Sequence, residues 1–149
     1  MSLSEILENH SDPLSVEPDT SIAAAAKIMA DRRIGFLLIL NSDGSLHGVI
    51  SERDIVRDVA AGNDGFDSRS VSGIATRSVQ TCSRNDDPHQ VFDRMTKGKF
   101  RHMPVAEDGR IQGVVSMSDL LRHFEKASSP DARAKAFQAF FSGDAVPGG

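Results

Sequence analysis

The sequence predicts an α+β fold made of two copies of one β-α-β-β-α unit. Three observations carry that prediction. First, Gly48-Val49-Ile50-Ser51-Glu52-Arg53-Asp54-Ile55-Val56-Arg57 and Gly113-Val114-Val115-Ser116-Met117-Ser118-Asp119-Leu120-Leu121-Arg122 share Gly, Val, Ser, Asp and the closing Arg in register, 65 positions apart. Second, the correspondence continues upstream. Asp43-Gly44 matches Asp108-Gly109, and Met29, Ile34 and Ile39 match Met95, Phe100 and Val105 at an offset of 66. The first copy therefore carries one extra residue in its hairpin loop, where length changes are tolerated. Third, segments of helical period alternate with short apolar runs bounded by turn residues, the pattern of helices interleaved with short strands.

The elements follow in order. Residues 2–9 read as a short helix, with Ser2 and Glu5 at capping-box spacing. A second helix starts from a cap at Asp19 or Thr20 and runs to about Arg32, with Ile22, Ala25, Ala26 and Met29 on one face. Phe36 to Leu40 is a buried strand, Asn41-Ser42-Asp43-Gly44-Ser45 a turn, and Leu46 to Ile50 the returning strand. A helix from about Ser51 to Ala61 places Ile55, Val56 and Val59 inward. In the second copy the helices run from about Asp87 to Lys97 and from Ser116 to Lys126, and the hairpin turns at Glu107-Asp108-Gly109. Pro88 suits a first helical turn, where its missing N–H costs nothing. A last helix over 130–142 carries Phe137, Phe140 and Phe141, which either cover the body or meet another subunit. The expected domain plan is 1–62 for the first repeat with the N-terminal helix, 63–78 for a linker, 79–126 for the second repeat, and 127–149 for the C-terminal helix and tail. One such unit alone is marginal in size, so the two are expected to pack with approximate two-fold symmetry.

Composition narrows the function. The net charge is −4, and both Trp and Tyr are absent, so neither a basic surplus nor an aromatic platform favours a nucleic-acid partner. The longest apolar run, Phe36 to Leu40, is too short for a membrane span, and no secretory signal opens the chain, so a cytoplasmic location is expected. Cys82 is the one cysteine and is expected to be a partly buried small apolar residue, with an intersubunit disulfide or a reactive thiol as the alternatives. There is no Walker phosphate loop and no Gly-x-Ser-x-Gly elbow. His10, His47, His89, His102 and His123 lack metal-ligand spacing. Neither an enzyme nor a metal site is expected.

The repeated Gly-x-x-Ser-x-x-Asp segment has two readings. Ser51 with Asp54, and Ser116 with Asp119, have the spacing of a capping box at a helix start. The same geometry suits a ligand. Free N–H groups at a helix N-terminus attract a phosphate, a serine can add a bond to it, and an aspartate one turn in can accept both hydroxyls of a ribose. Recurrence of the same residues in two otherwise divergent copies favours the ligand, since a cap alone tolerates Thr, Asn or Glu. A glycine before the strand end admits close approach of a ligand or of backbone.

From about Pro13 to Lys126 the pattern resembles the CBS domain in its usual tandem pair. Phe100-Arg101-His102-Met103-Pro104-Val105, followed by Glu-Asp-Gly and Gly113-Val-Val-Ser-Met-Ser-Asp, is similar to small stand-alone bacterial CBS-pair proteins. The resemblance implies a disk-like module that binds adenosine nucleotides (AMP, ADP, ATP or NAD(H)) in clefts between the repeats, with no further cofactor. By position it implies Asp54 and Asp119 on ribose hydroxyls, Ser51 and Ser116 on phosphate, and Arg53 beside a phosphate. It implies Ile34, Gly35, Met103 and Pro104 as walls for adenine, and Val16 and Cys82 as backbone partners of the base edge. Arg101 and His102 either serve the sheet and its surface or reach a polyphosphate. A homodimer and an effector protein of unknown identity are implied as partners. The competing expectation is a structural or protein-interaction module without a ligand, its Ser–Asp pairs acting as helix caps only.

Overall fold

The computed structural model of the chain describes residues 2–8 and 14–126, together with Gln138. The helix expected over 130–142, with Phe137, Phe140 and Phe141, therefore lies outside the described residues apart from Gln138. Among the described residues the elements are α1 (Ser4–Leu7), β1 (Ser15–Val16), α2 (Ile22–Arg32), β2 (Phe36–Leu40), β3 (Leu46–Ser51), α3 (Glu52–Ala60), a 3-10 turn (Val71–Gly73), α4 (Pro88–Gly98), β4 (His102–Glu107), β5 (Arg110–Ser116) and α5 (Met117–Lys126). They form two compact units, one built mainly from Leu14 to Val79 and the other mainly from the N-terminal segment and the chain from Gln80 onward.

In the first unit the sheet order is β1-β2-β3, with β1 parallel and β3 antiparallel to β2. A parallel neighbour needs a crossover, and α2 supplies it. The central strand is apolar throughout, and Leu37, Leu38 and Ile39 are buried. Leu37 and Ile39 join Val16, Ala25, Met29, Ile50 and Val71 in one core. The cap of α2 is Ser21, whose Oγ accepts from the Ala24 N–H at 3.0 Å, and neither Asp19 nor Thr20 takes that role. In the hairpin turn Asp43 accepts from the Ser45 hydroxyl (2.5 Å) and the Ser45 N–H (3.0 Å), and these bonds hold its carboxyl below the usual range. The register slips between the pairs Ile39–Gly48 and Leu40–Leu46, which leaves His47 as a bulge.

Helix α3 is rotated from its expected setting. Val56 and Val59 are 63% and 55% exposed, and the inner stripe runs through Ile55 and Asp58 instead. A buried carboxylate needs partners, and Asp58 has them: both terminal nitrogens of Arg69 reach one oxygen (2.9 and 2.7 Å) and the Asn63 amide reaches the other (2.8 Å). Those partners come from the stretch 63–78 that the sequence marks as a linker. The stretch is bound to the first unit along its length. Arg69 and Phe66 accept from the Ile22 and Ala23 N–H groups, Val71 is fully buried in the core, and Thr76 exchanges two backbone bonds with Val49 (3.0 and 2.9 Å). Thr76 thereby covers the outer edge of β3, which would otherwise present unpaired N–H and C=O groups. A Cβ on Gly48 would lie 2.6 Å from the Thr76 carbonyl oxygen, so the repeated glycine here admits backbone.

The second unit repeats this plan with β4 and β5, while the place of β1 is reduced to a parallel bridge between Cys82 and Val105. Asp87 caps α4, its carboxylate accepting from the His89 N–H (3.0 Å), and Pro88 opens the helix as expected. The core gathers Val91, Phe92, Met95, Met103, Val105, Val115, Leu120 and Phe124. It also takes Leu3, Ile6 and Leu7 from α1, so the N-terminal helix packs here and not with the half that follows it in the chain. Ser2 does not cap α1: the residue before the helix is Leu3, which makes no side-chain cap bond and is fully buried. A Cβ on Gly113 would meet Leu7 Cδ2 at 2.9 Å, as Gly48 meets Thr76. The parallel is visible in sequence: Ser2-Leu3-Ser4-Glu5-Ile6-Leu7 matches Ser70-Val71-Ser72-Gly73-Ile74-Ala75, and Leu3, Ile6 and Val71 are buried. The repeat thus begins earlier than its helices and strands suggest.

Three outcomes follow. Gly48→Ala must displace the Thr76 backbone, which two hydrogen bonds hold to Val49, and should lose about 1–3 kcal/mol in urea denaturation, whereas Gly113→Ala meets only a movable leucine tip and should lose less. Asp58→Ala removes the acceptor of Arg69 and Asn63 and should lose about 1–3 kcal/mol in the same measurement. Burial pushes the Cys82 thiol from 9.0 to about 12. The folded state therefore favours the neutral thiol, an advantage complete below the unfolded value of 9.0 and lost as pH climbs toward about 12. At pH 8 the native protein holds roughly a thousandfold fewer thiolates than the unfolded chain, so iodoacetamide should label Cys82 rapidly only in denaturant.

Candidate functional site

Each unit brings its Ser–Asp pair to a strand-to-helix junction: β3 ends on Ser51 and α3 follows, and β5 ends on Ser116 and α5 follows. Both pairs close capping boxes. Ser51 Oγ accepts from the Asp54 N–H (3.3 Å), and Asp54 Oδ2 accepts from the Ser51 N–H (2.9 Å). In the second unit Ser116 Oγ accepts from the Asp119 N–H (3.1 Å), and Asp119 Oδ2 accepts from the Ser116 N–H (2.8 Å). The local reading of these four residues therefore holds in both copies. It occupies one oxygen of each carboxylate.

The copies differ in what remains. In the first, Ser51 is 3% exposed and also donates its hydroxyl to Asp54 Oδ2 (3.1 Å), while Asp54 is half-buried and its Oδ1 has no partner among the described residues. In the second, Ser116 is half-buried and makes no such donation, whereas Asp119 is 7% exposed and its Oδ1 accepts from Arg122 (2.5 Å). Sequence reasoning singled out neither Arg122 nor its counterpart Arg57 as a site residue, although both close the repeated segment. Arg57 is exposed and makes no side-chain bond among the described residues.

The other expected residues fall into the same two groups. In the first unit, the Gly35 carbonyl accepts from the Glu52 N–H (3.0 Å), which sets Gly35 against the first turn of α3. Ile34 packs on the core, Val16 lies buried in β1, and Arg53 is half-buried with no side-chain bond among the described residues. In the second unit, Met117 N–H donates to the Arg101 carbonyl (2.8 Å), so Arg101 stands at the entry to α5 as Gly35 does at α3. His102 is half-buried at the start of β4, Met103 is fully buried in the core, and Pro104 is buried. The Cys82 N–H donates to the Pro104 carbonyl (3.0 Å) and its own carbonyl accepts from Ala106 (2.8 Å), so strand pairing already uses the backbone groups expected to meet a base edge. Chemically, the first junction leaves one carboxylate oxygen able to accept a hydroxyl proton beside the positive end of a helix, whereas in the second both oxygens of Asp119 are engaged. Among the described residues no three His, Cys, Asp or Glu side chains gather as a metal site, and no helix is long and apolar enough to cross a membrane.

Comparison with known proteins agrees with this architecture. The CBS domain family model matches residues 3–61 and 71–126, and its bounds take in both Leu3 and Val71. A 17.7 kDa protein of Acidianus ambivalens is 36% identical over 108 residues, covering 72% of this chain and 64% of that protein. The chain spans only 25% of the CBS domain-containing protein CBSCBSPB1 of Arabidopsis thaliana, with 28% identity. Among solved structures, a CBS-domain-containing protein of Agrobacterium tumefaciens is similar with a TM-score of 0.75 and 34% identity, covering 81% of this chain and 91% of that one. The CBS domain pair of protein MJ0100, solved with 5′-methylthioadenosine and S-adenosyl-L-methionine, is similar with a TM-score of 0.75 and 28% identity over 86% of this chain and 98% of that one. With two matched repeats, each made of the same helices, hairpin and capped junction, this chain belongs to the CBS-domain family and carries the domain as a tandem pair.

Proposed function

We propose that this chain is a regulatory module that binds an adenosine-containing ligand at its Ser–Asp junctions. The observation that carries this reading is that Oδ1 of the half-buried Asp54 has no partner among the described residues, while the capping duty at this helix entrance falls on the other oxygen. A ribose hydroxyl donating to Oδ1 leaves the cap intact. Arg53 next to it, which makes no side-chain bond among the described residues, suits a phosphate or another anionic group together with the α3 N-terminus. That a similar CBS pair was solved with two adenosyl compounds supports the class of ligand. AMP, ADP, ATP, NAD(H) and S-adenosylmethionine all belong to it. Regulation then consists of a shift between conformations of the pair, driven by the ligand's unequal affinity for them, and read by an effector protein. In this proposal the chain works in the cytoplasm as a homodimer.

The alternative, a module that acts through protein contacts with no ligand, is favoured by one finding: all four Ser and Asp side chains already serve as helix caps. The two readings part on a simple measurement. With no Trp and no Tyr, the chain absorbs almost nothing near 280 nm. A copurified adenine compound should dominate the spectrum near 260 nm, with mass spectrometry of the released material naming it. In calorimetry with AMP, ATP, NAD+ and S-adenosylmethionine, Asp54→Ala should weaken binding on the order of 10–100-fold, the loss of a hydrogen bond to a charged group worth about 1.5–3 kcal/mol. Circular dichroism should stay native, since losing the cap costs only about 1 kcal/mol. No binding of any of these compounds to the wild type favours the ligand-free module, and binding that Asp54→Ala and Asp119→Ala both leave unchanged rejects these carboxylates as the site.

A further inference from the structure

We infer that the two matched carboxylates are unequal sites, and that Arg122 is an internal competitor that keeps Asp119 closed to the ligand Asp54 accepts. This inference rests on the proposed adenosine site and concerns how it is regulated. The two junctions start from the same residues, Ser, Asp and Arg at the same spacing. In both, Oδ2 of the aspartate is taken by the cap. Only Oδ1 is left for a ribose hydroxyl. At Asp54 that oxygen has no partner among the described residues, and Arg57, three residues on, makes no bond to it. At Asp119 the equivalent oxygen is held by Arg122.

The difference has a local cause. Asp54 is half-buried, so water can satisfy its second oxygen. Asp119 is buried, and its second oxygen needs a protein donor. Arg122 supplies one from a side chain that is itself 65% exposed. A ligand hydroxyl entering the Asp119 junction must first displace a charged donor. One entering at Asp54 displaces no donor from among the described residues. Because Arg122 is mostly in solvent, the ion pair is moderated by screening, and the expected gap between the two junctions is about tenfold in affinity. Arg122 is thus a specificity-setting residue that touches the carboxylate, and a partner or modification drawing it away would open the second site.

The test uses 5′-methylthioadenosine, which has a ribose and no phosphate, so that Arg122 cannot aid binding through an anion and salt acts on the ion pair alone. Calorimetry on the full chain should show two unequal sites, the stronger lost in Asp54→Asn. Arg122→Ala should strengthen the weaker site about tenfold, and Asp119→Asn added to it should cancel the gain. In the wild type, raising NaCl should strengthen the weaker site, and in Arg122→Ala it should not. Two equal sites in the wild type, or a weaker site that Arg122→Ala leaves unchanged or weakens further, overturn the inference while the adenosine reading stands. Binding of neither 5′-methylthioadenosine nor any of AMP, ATP, NAD+ and S-adenosylmethionine, by wild type and variant alike, rejects the adenosine reading and this inference with it.

Discussion

The arrangement of each unit depends on how closely another segment of the chain can lie against the glycine of its last strand. Gly48 leaves room for the Thr76 carbonyl, and Gly113 leaves room for the tip of Leu7. In the first unit this contact closes the edge of β3, whose last residue, Ser51, is also the cap of α3. A side chain at position 48 would push the covering segment away from the strand that ends in the candidate site. The glycine that opens the repeated motif therefore serves the sheet, and its distance from the serine is part of how that serine is placed.

Much of this was legible in the residues. The register of the two copies, the hairpins, the helices and the serine caps of α3 and α5 all follow from spacing, because each rests on contacts between residues close in sequence. What was misread depends on distant partners. Val56 and Val59 look like core residues by hydropathy, yet Asp58 takes the inner position because Arg69 and Asn63 neutralise and bond it there. The stretch 63–78 looks like a linker because it is polar and contains glycine, but Val71 anchors it in the core. The signal that finds both this anchor and α1 is the paired Ser-x-Ser-x-Ile pattern at Ser2 and Ser70, which lies outside the conspicuous part of the repeat.

The candidate site shows a different limit. Spacing identifies Ser51, Asp54, Ser116 and Asp119 and permits two uses for them, a cap and a ligand site. In the first copy these uses are compatible, since the cap takes only one oxygen of Asp54, whereas in the second Arg122 also takes the other oxygen of Asp119. Spacing cannot reveal that matched arginines behave differently, because the difference follows from how deeply each aspartate is buried. Nor does it show that Met103 is enclosed in the core or that the Cys82 backbone is consumed in pairing.

The packing of α1 in the second unit also bears on how the chain is made. Leu3, Ile6 and Leu7 leave the ribosome more than 100 residues before their core neighbours Val115, Leu120 and Phe124. Contacts between such remote stretches close slowly. During synthesis these apolar side chains must wait for their core until the second repeat has been translated.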